Sequence, residues 1–290
     1  GTEGSAIVRG PALAIEDRGP ALRLVGTESI WQGLAKNRSF HGFLAADKLE
    51  VPYGLNEAAA PTSLPEFAQA TRLGVGRTQE LLALGDRRQA KEQWRHTLNQ
   101  MPREERARLG EVALQRNWLD LAADAANAGA AWDRLDLRFP IAYWERFQAA
   151  SQVRGIDAFD LIALARRESG LYPLARSKAG ARGLMQIMPA TAQSVARNQG
   201  DTYRGTRSLY EPSTSIGLGA AYYADLMSRY EDNRVKTLAA YNAGPSRVTR
   251  WSDGTMALDQ WVDSIPFGET REYVQAVLAH TVIYRARGGG

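Results

Sequence analysis

From about residue 66 to 130 the chain is rich in Ala and Leu, carries no β-branched runs, and is punctuated by one or two turn-forming residues at a time. A strand needs period-two alternation and β-branched or aromatic side chains, so this stretch cannot build a sheet and predicts short, paired helices. Leu81, Leu82 and Leu84 close one helix, Gly85-Asp86 turns the chain, and Ala90, Trp94 and Leu98 recur every four residues as the core stripe of the next. A second pair starts at Pro102 with Glu104 and Glu105; Leu109, Val112 and Ala113 carry its stripe, and Asn117-Trp118 leads into Leu119, Leu121, Ala122, Ala125 and Ala126. Hairpins of this kind bury their faces against neighbouring hairpins, as in an α-solenoid. Trp31 to Leu49, with Leu34, Phe40, Phe43 and Leu44, reads as another helical pair, whereas residues 1–28, with Pro11, Gly19, Pro20 and Gly26, read as broken helix or a cut edge. Trp94, Trp118 and Trp132 fall at helical spacing in apolar faces and are assigned to packing rather than to sugar stacking.

After Arg138-Phe139-Pro140 the grammar changes, with Gly and Pro becoming frequent, so the boundary is set there: a helical region over 1–138 and a second domain over 139–290. A length of 290 residues suits two domains. No apolar run approaches the ~18 residues of a membrane span, so no stable membrane insertion is expected. The absence of cysteine excludes disulfides, thiol catalysis and thiolate metal sites. His41, His96 and His280 stand far apart and outside any ligand spacing, which predicts structural or surface histidines, no metal site and no Ser-His-Asp set. No cofactor is expected. The net charge of +4 comes from the second half: residues 151–290 hold 17 basic and 13 acidic side chains, against 19 and 19 before them. An anionic partner would meet that half, but the Arg residues are scattered with no basic run, so nucleic acid is not the expected partner. The start at Gly1 reads as a processed or cloned piece, and Gly288-Gly289-Gly290 as a linker or scar.

One carboxylate stands where a helix should be apolar. Phe159 to Ser169 reads as a helix stopped by Gly170 and Pro173, and Leu161, Leu164, Ala165 and Glu168 share one face. Glu168 therefore points inward, near the negative end of the helix dipole. Burial and dipole both disfavour its ionisation and predict a raised pKa, as a general acid needs. A structural Glu paired with Arg166 or another cation accounts for the same pattern.

Three further segments carry polar groups suited to a cleft. Ser177 to Ala192 places Gly180 and Gly183 before the short non-helical piece Leu184 to Ile187, with Met185 as an adaptable apolar contact and Gln186 as a neutral donor and acceptor, and a helix begins at Pro189. Leu238 to Pro245 ends a helix on Tyr241-Asn242, whose groups bond sugars or carboxyls without adding charge. Asp263 to Val274 puts Glu269, Arg271 and Tyr273 at the start of a last helix, where a Glu also suits a capping role.

Together these segments resemble the soluble lytic transglycosylases. The motifs are Ala165-Arg166-Arg167-Glu168-Ser169, Gly180 with Gly183-Leu184-Met185-Gln186-Ile187-Met188-Pro189, Ala239 to Pro245, and Ser264-Ile265-Pro266-Phe267 with Glu269-Thr270-Arg271. The resemblance covers about 140–290 and continues more loosely back to about 30. It implies a mainly α protein: a solenoid-like region of α-helical hairpins followed by a lysozyme-like α+β catalytic domain, with most of the family's N-terminal superhelix missing. It implies that Glu168 is the catalytic acid and base, that Tyr241 bonds to it, that Ser177, Met185, Gln186 and Asn242 line the glycan groove, and that Glu269 contacts substrate near its peptide-bearing sugar. Departures are Arg167 where Gln is expected, Ser215 for Asn, Ser246 for Gly and Asp263 for Glu.

The implied reaction is non-hydrolytic cleavage of the MurNAc-β-1,4-GlcNAc bond of peptidoglycan, closing a 1,6-anhydro ring on the muramoyl sugar. The implied partners are peptidoglycan strands with their stem peptides, together with other cell-wall enzymes, and the implied location is the Gram-negative periplasm. A hydrolytic muramidase of the same fold and a non-catalytic wall-binding scaffold are the alternatives.

Overall fold

Asp86 shows how the sequence punctuates the helices: it follows Gly85 in the left-handed region and its side chain accepts a hydrogen bond from the Gln89 amide at 3.0 Å, capping the next helix. The computed structural model describes residues 27–63, 66–200, 203–251 and 256–288; the expectation for residues 1–28 falls almost entirely outside them, as do Gly289 and Gly290. The elements are α1 (Thr27–Ala35), α2 (Phe40–Leu49), α3 (Gln69–Ala83), α4 (Arg87–Asn99), α5 (Arg103–Arg106), α6 (Arg108–Gln115), α7 (Leu119–Ala128) and α8 (Leu135–Arg138) in the first half. The second half holds α9 (Trp144–Arg154), α10 (Ala158–Ser169), α11 (Pro189–Gln199), a 3-10 turn (Thr206–Tyr210), α12 (Pro212–Arg229), α13 (Arg234–Ala243), α14 (Pro245–Trp251), α15 (Leu258–Ser264) and α16 (Gly268–Gly288).

The expected hairpins are α3 with α4 and α6 with α7. Their stripes form one core of Val75, Trp94, Leu98, Leu109, Ala113, Leu121, Ala122 and their neighbours. Trp94 is fully buried, donates its indole N–H to the Leu121 carbonyl at 3.0 Å and meets Trp118 edge-on at 6.1 Å between ring centres. Gly74 lets α3 lie close on α4, since a Cβ there would come within 2.3 Å of the Thr97 hydroxyl. Trp132 departs from the packing assignment: it is 51% exposed, with the Arg138 guanidinium 5.0 Å over its ring.

The main core lies in the second half, where α10, α12, α13 and α16 pack around Leu161, Leu164, Ile216, Tyr223, Leu238, Val274 and Val277. Phe40 and Phe43 of α2 and Leu135 of α8 join the same core. His41 beside Asp263 (3.2 Å) and Lys48 beside Asp259 (3.1 Å) tie α2 to α15. The first helical pair is thus packed onto the body that α10, α12, α13 and α16 form. Of the three histidines, His41 and His96 are at the surface, while His280 is packed on Phe139 and burial pushes its pKa down to about 3.

The β part of the expected α+β domain shrinks, among the described residues, to two isolated antiparallel bridges, Arg176 with Arg182 and Arg182 with Ile187. The reason is local. Gly180 and Gly183 turn the chain every few residues, Gln186 itself has a left-handed backbone, and Pro189 starts α11, so no arm is long enough for a ladder. Among the described residues no helix is long and apolar enough to cross a membrane.

Candidate active site

The α10 helix places Glu168 because Leu161, Ile162, Leu164 and Ala165 bury its inner face completely, while Gly170, at φ 62°, stops it two residues later. Only part of Glu168 reaches solvent. Its Oε1 accepts a hydrogen bond from the Tyr273 hydroxyl at 2.6 Å. Burial pushes the Glu168 pKa up to about 7, against the opposing effects of the Tyr273 bond and the Arg167 charge. Among the described residues Glu168 forms no ion pair: Arg166 donates instead to the Arg138 carbonyl at 2.7 Å, and Arg167 lies 5.9 Å over the Tyr273 ring. The structural ion-pair reading of this residue is therefore set aside.

The resemblance implied that Tyr241 bonds to Glu168, and here the structure corrects it. Tyr241 donates to the Met185 carbonyl at 2.9 Å, and the phenol on the carboxyl is Tyr273. Both phenols titrate well above the usual range, through burial first and then the negative charge of Glu168, so both stay protonated donors. Tyr273 carried a signal of its own. It interrupts the apolar stripe of Val274, Val277 and Leu278 on α16 just as Glu168 interrupts that of α10, and the two polar intruders meet across 105 residues of sequence.

The segment from Ser177 to Ile187 is fixed by its own hydrogen bonds. Ser177 Oγ accepts from the Ala181 amide at 3.0 Å, and the Gln186 side-chain amide donates to the carbonyls of Ala175 (3.1 Å) and Gly183 (2.9 Å). Gly183, at φ 76°, is required: a Cβ there would lie 1.9 Å from the Leu209 carbonyl oxygen. Ser215, one of the departures from the family pattern, is fully buried and accepts from the Met185 amide at 3.1 Å. Met185 itself has no exposed surface and packs on Gly219, so its side chain would have to move to touch a sugar. Asn242, at the end of α13, accepts from the Thr270 hydroxyl at 2.8 Å and so links α13 to α16. Glu269 is exposed in the first turn of α16, one turn before Tyr273. Glu168, Tyr241, Met185 and Tyr273 thus converge, Ser177 and Gln186 shape the adjoining turn, and Asn242 and Glu269 flank it. Among the described residues no cluster of His, Asp or Glu could hold a metal ion.

Fold and site define a helical, lysozyme-like domain with one uncharged-partner carboxylic acid, set on an array of helical hairpins. Residues 145–264 match the model of the transglycosylase SLT domain, 70–135 that of the soluble lytic murein transglycosylase L domain, and 264–290 that of the soluble lytic transglycosylase helical domain. The chain belongs to the soluble lytic transglycosylase family. A Haemophilus influenzae protein named as a soluble lytic murein transglycosylase is 42% identical over 259 residues, which is 87% of this chain and 43% of that protein. The 70-kDa soluble lytic transglycosylase of Escherichia coli superimposes with a TM-score of 0.86 at 34% identity, over 90% of this chain and 43% of that one. An inactive mutant of the lytic transglycosylase Slt of Pseudomonas aeruginosa gives 0.83 at 35% identity, over 92% and 44%. The chain thus spans less than half the length of these relatives.

Proposed function

We propose that this chain cleaves the MurNAc-β-1,4-GlcNAc bond of peptidoglycan without consuming water, with Glu168 as acid and then base. The observation that carries this reading is a carboxyl held near pKa 7 by burial, with a neutral phenol as its hydrogen-bond partner. At neutral pH such a group is present in both protonation states. Protonated, it donates to the oxygen leaving with GlcNAc as oxocarbenium character develops on the muramoyl sugar. The muramoyl N-acetyl group assists from within the substrate. Ionised, Glu168 then accepts the proton of the muramoyl 6-hydroxyl, which closes onto the anomeric carbon. No carboxylate is among the groups that shift Glu168, in keeping with one residue serving both steps. Tyr273 holds the carboxyl, and Tyr241 holds the backbone at Met185 against it. Ser177, Met185, Gln186, Asn242 and Glu269 are proposed to border the glycan. The names of the relatives support the substrate class, and a periplasmic site of action goes with it.

The test is digestion of purified sacculi. Glu168→Gln keeps the shape and loses the transferable proton, and acid–base catalysis of this kind contributes ~10² to 10⁴-fold. The variant is expected to bind sacculi and release almost no soluble product; digestion at the unaltered rate would reject the assignment.

A further inference from the structure

Two neighbouring arginines precede Glu168, and they are held in different ways. Arg166 is anchored away from the acid: its Nε donates to the Arg138 carbonyl at 2.7 Å, and its guanidinium lies 5.4 Å over the Phe139 ring. Arg167 has no such anchor. It is exposed, forms no ion pair among the described residues, and places its guanidinium 5.9 Å over the ring of Tyr273. That ring carries the hydroxyl that donates to Glu168 Oε1 at 2.6 Å. A cation over a phenol face is attracted to the ring and draws electron density from it, which makes the hydroxyl a stronger donor.

The distance of this cation matters as much as its sign. A cation bonded directly to Glu168 would hold it ionised and leave no acid, whereas burial with no charge nearby would favour the neutral form alone. Arg167 stands one ring away. The other titratable groups around the pair are uncharged: Tyr241 on α13 and Tyr223 on α12 are phenols that burial keeps protonated, and His280, further along α16, is neutral because burial and the nearby arginines push its pKa down to about 3. Among the described residues, Arg167 is the charged group that acts on Glu168. We propose that Arg167 is a positioning residue: its guanidinium pins the Tyr273 phenol on Glu168 and, through that ring, favours the carboxylate that forms when the acid gives up its proton. The proposal rests on the acid–base reading of Glu168 above.

Titration of Glu168 by carbon NMR in the full chain tests it, with Arg167→Gln and Arg167→Lys beside the parent. Arg167→Gln removes a charge that favours the ionised carboxyl, so the Glu168 pKa should rise by roughly 0.3 to 0.7, while Arg167→Lys stays near the parent's value. In a Tyr273→Phe background the rise should shrink by at least half, because the hydroxyl that relays the charge is gone. On soluble glycan fragments, Arg167→Gln should lower kcat roughly two- to fivefold, leave KM unchanged and move the alkaline limb of kcat/KM to higher pH with the carboxyl. An unmoved pKa, an Arg167→Lys that titrates like Arg167→Gln, a rise of the same size without the Tyr273 hydroxyl, or a raised KM at unchanged kcat overturns the role of Arg167 and leaves that of Glu168 standing. A parent chain that digests no sacculi removes the acid–base reading and this proposal with it.

Discussion

Burial without an ion pair makes Glu168 costly to ionise, and that cost has a sign that can be measured. The folded pKa, about 7, stands above the ordinary value of 4.5. Between those values the folded chain keeps a proton that the unfolded chain has released, so stability falls as pH rises through that window, by up to about 3 kcal/mol. Glu168→Gln removes this dependence. Its melting temperature should exceed that of the parent at pH 8, with the difference closing by pH 4; parallel melting curves at both pH values would mean an ordinary carboxyl. Tyr273→Phe deletes a bond that favours the ionised form, so the Glu168 pKa should climb and the alkaline limb of kcat/KM should move to higher pH. The rate should drop roughly tenfold or more from lost positioning. An unshifted profile would mean that the bond is incidental. Glu168 was legible in the sequence because it breaks a stripe that is otherwise Leu and Ala. Tyr273 breaks its own stripe in the same way, yet its role depends on a contact 105 residues away, which no local pattern contains.

At the scale of elements, two features hold the acid helix and its facing turn in place. Asp160 on α10 and Arg234 on α13 form a buried pair at 2.5 Å, each about 9% exposed. Breaking one side of such a pair leaves an uncompensated charge, so Asp160→Ala should destabilise by about 3–5 kcal/mol in urea denaturation. Gly183→Ala forces a side chain into the left-handed region and against the Leu209 carbonyl. It should cost at least about 2 kcal/mol and disorder the turn that carries Met185 and Gln186. Helix positions were readable because stripes, turns and stops are local: Gly85-Asp86 and Gly170 act where the pattern puts them. The strand content was not: the resemblance implied an α+β domain without placing a strand in it, and the backbone from Gly180 to Pro189 leaves room for single bridges.

Across the whole molecule, one core takes in residues on both sides of residue 138. Phe43 is fully buried in the same core as Leu161 and Val277, although it lies in the first helical pair. Phe43→Ala should therefore cost about 3–5 kcal/mol and lower the stability of the body that carries Glu168, rather than unfold α1 and α2 alone. The sequence could not show this, since a stripe names the face a helix buries and not the partner it buries it against. The same core fixes α10 against α16, and through them Glu168 against Tyr273. The central claim is that this one carboxyl acts first as acid and then as base on the muramoyl 6-hydroxyl. Mass spectrometry of the muropeptides released from purified sacculi tests it directly. Products one water lighter than reducing-end muropeptides are expected, and a product pool made of reducing-end sugars would contradict the account.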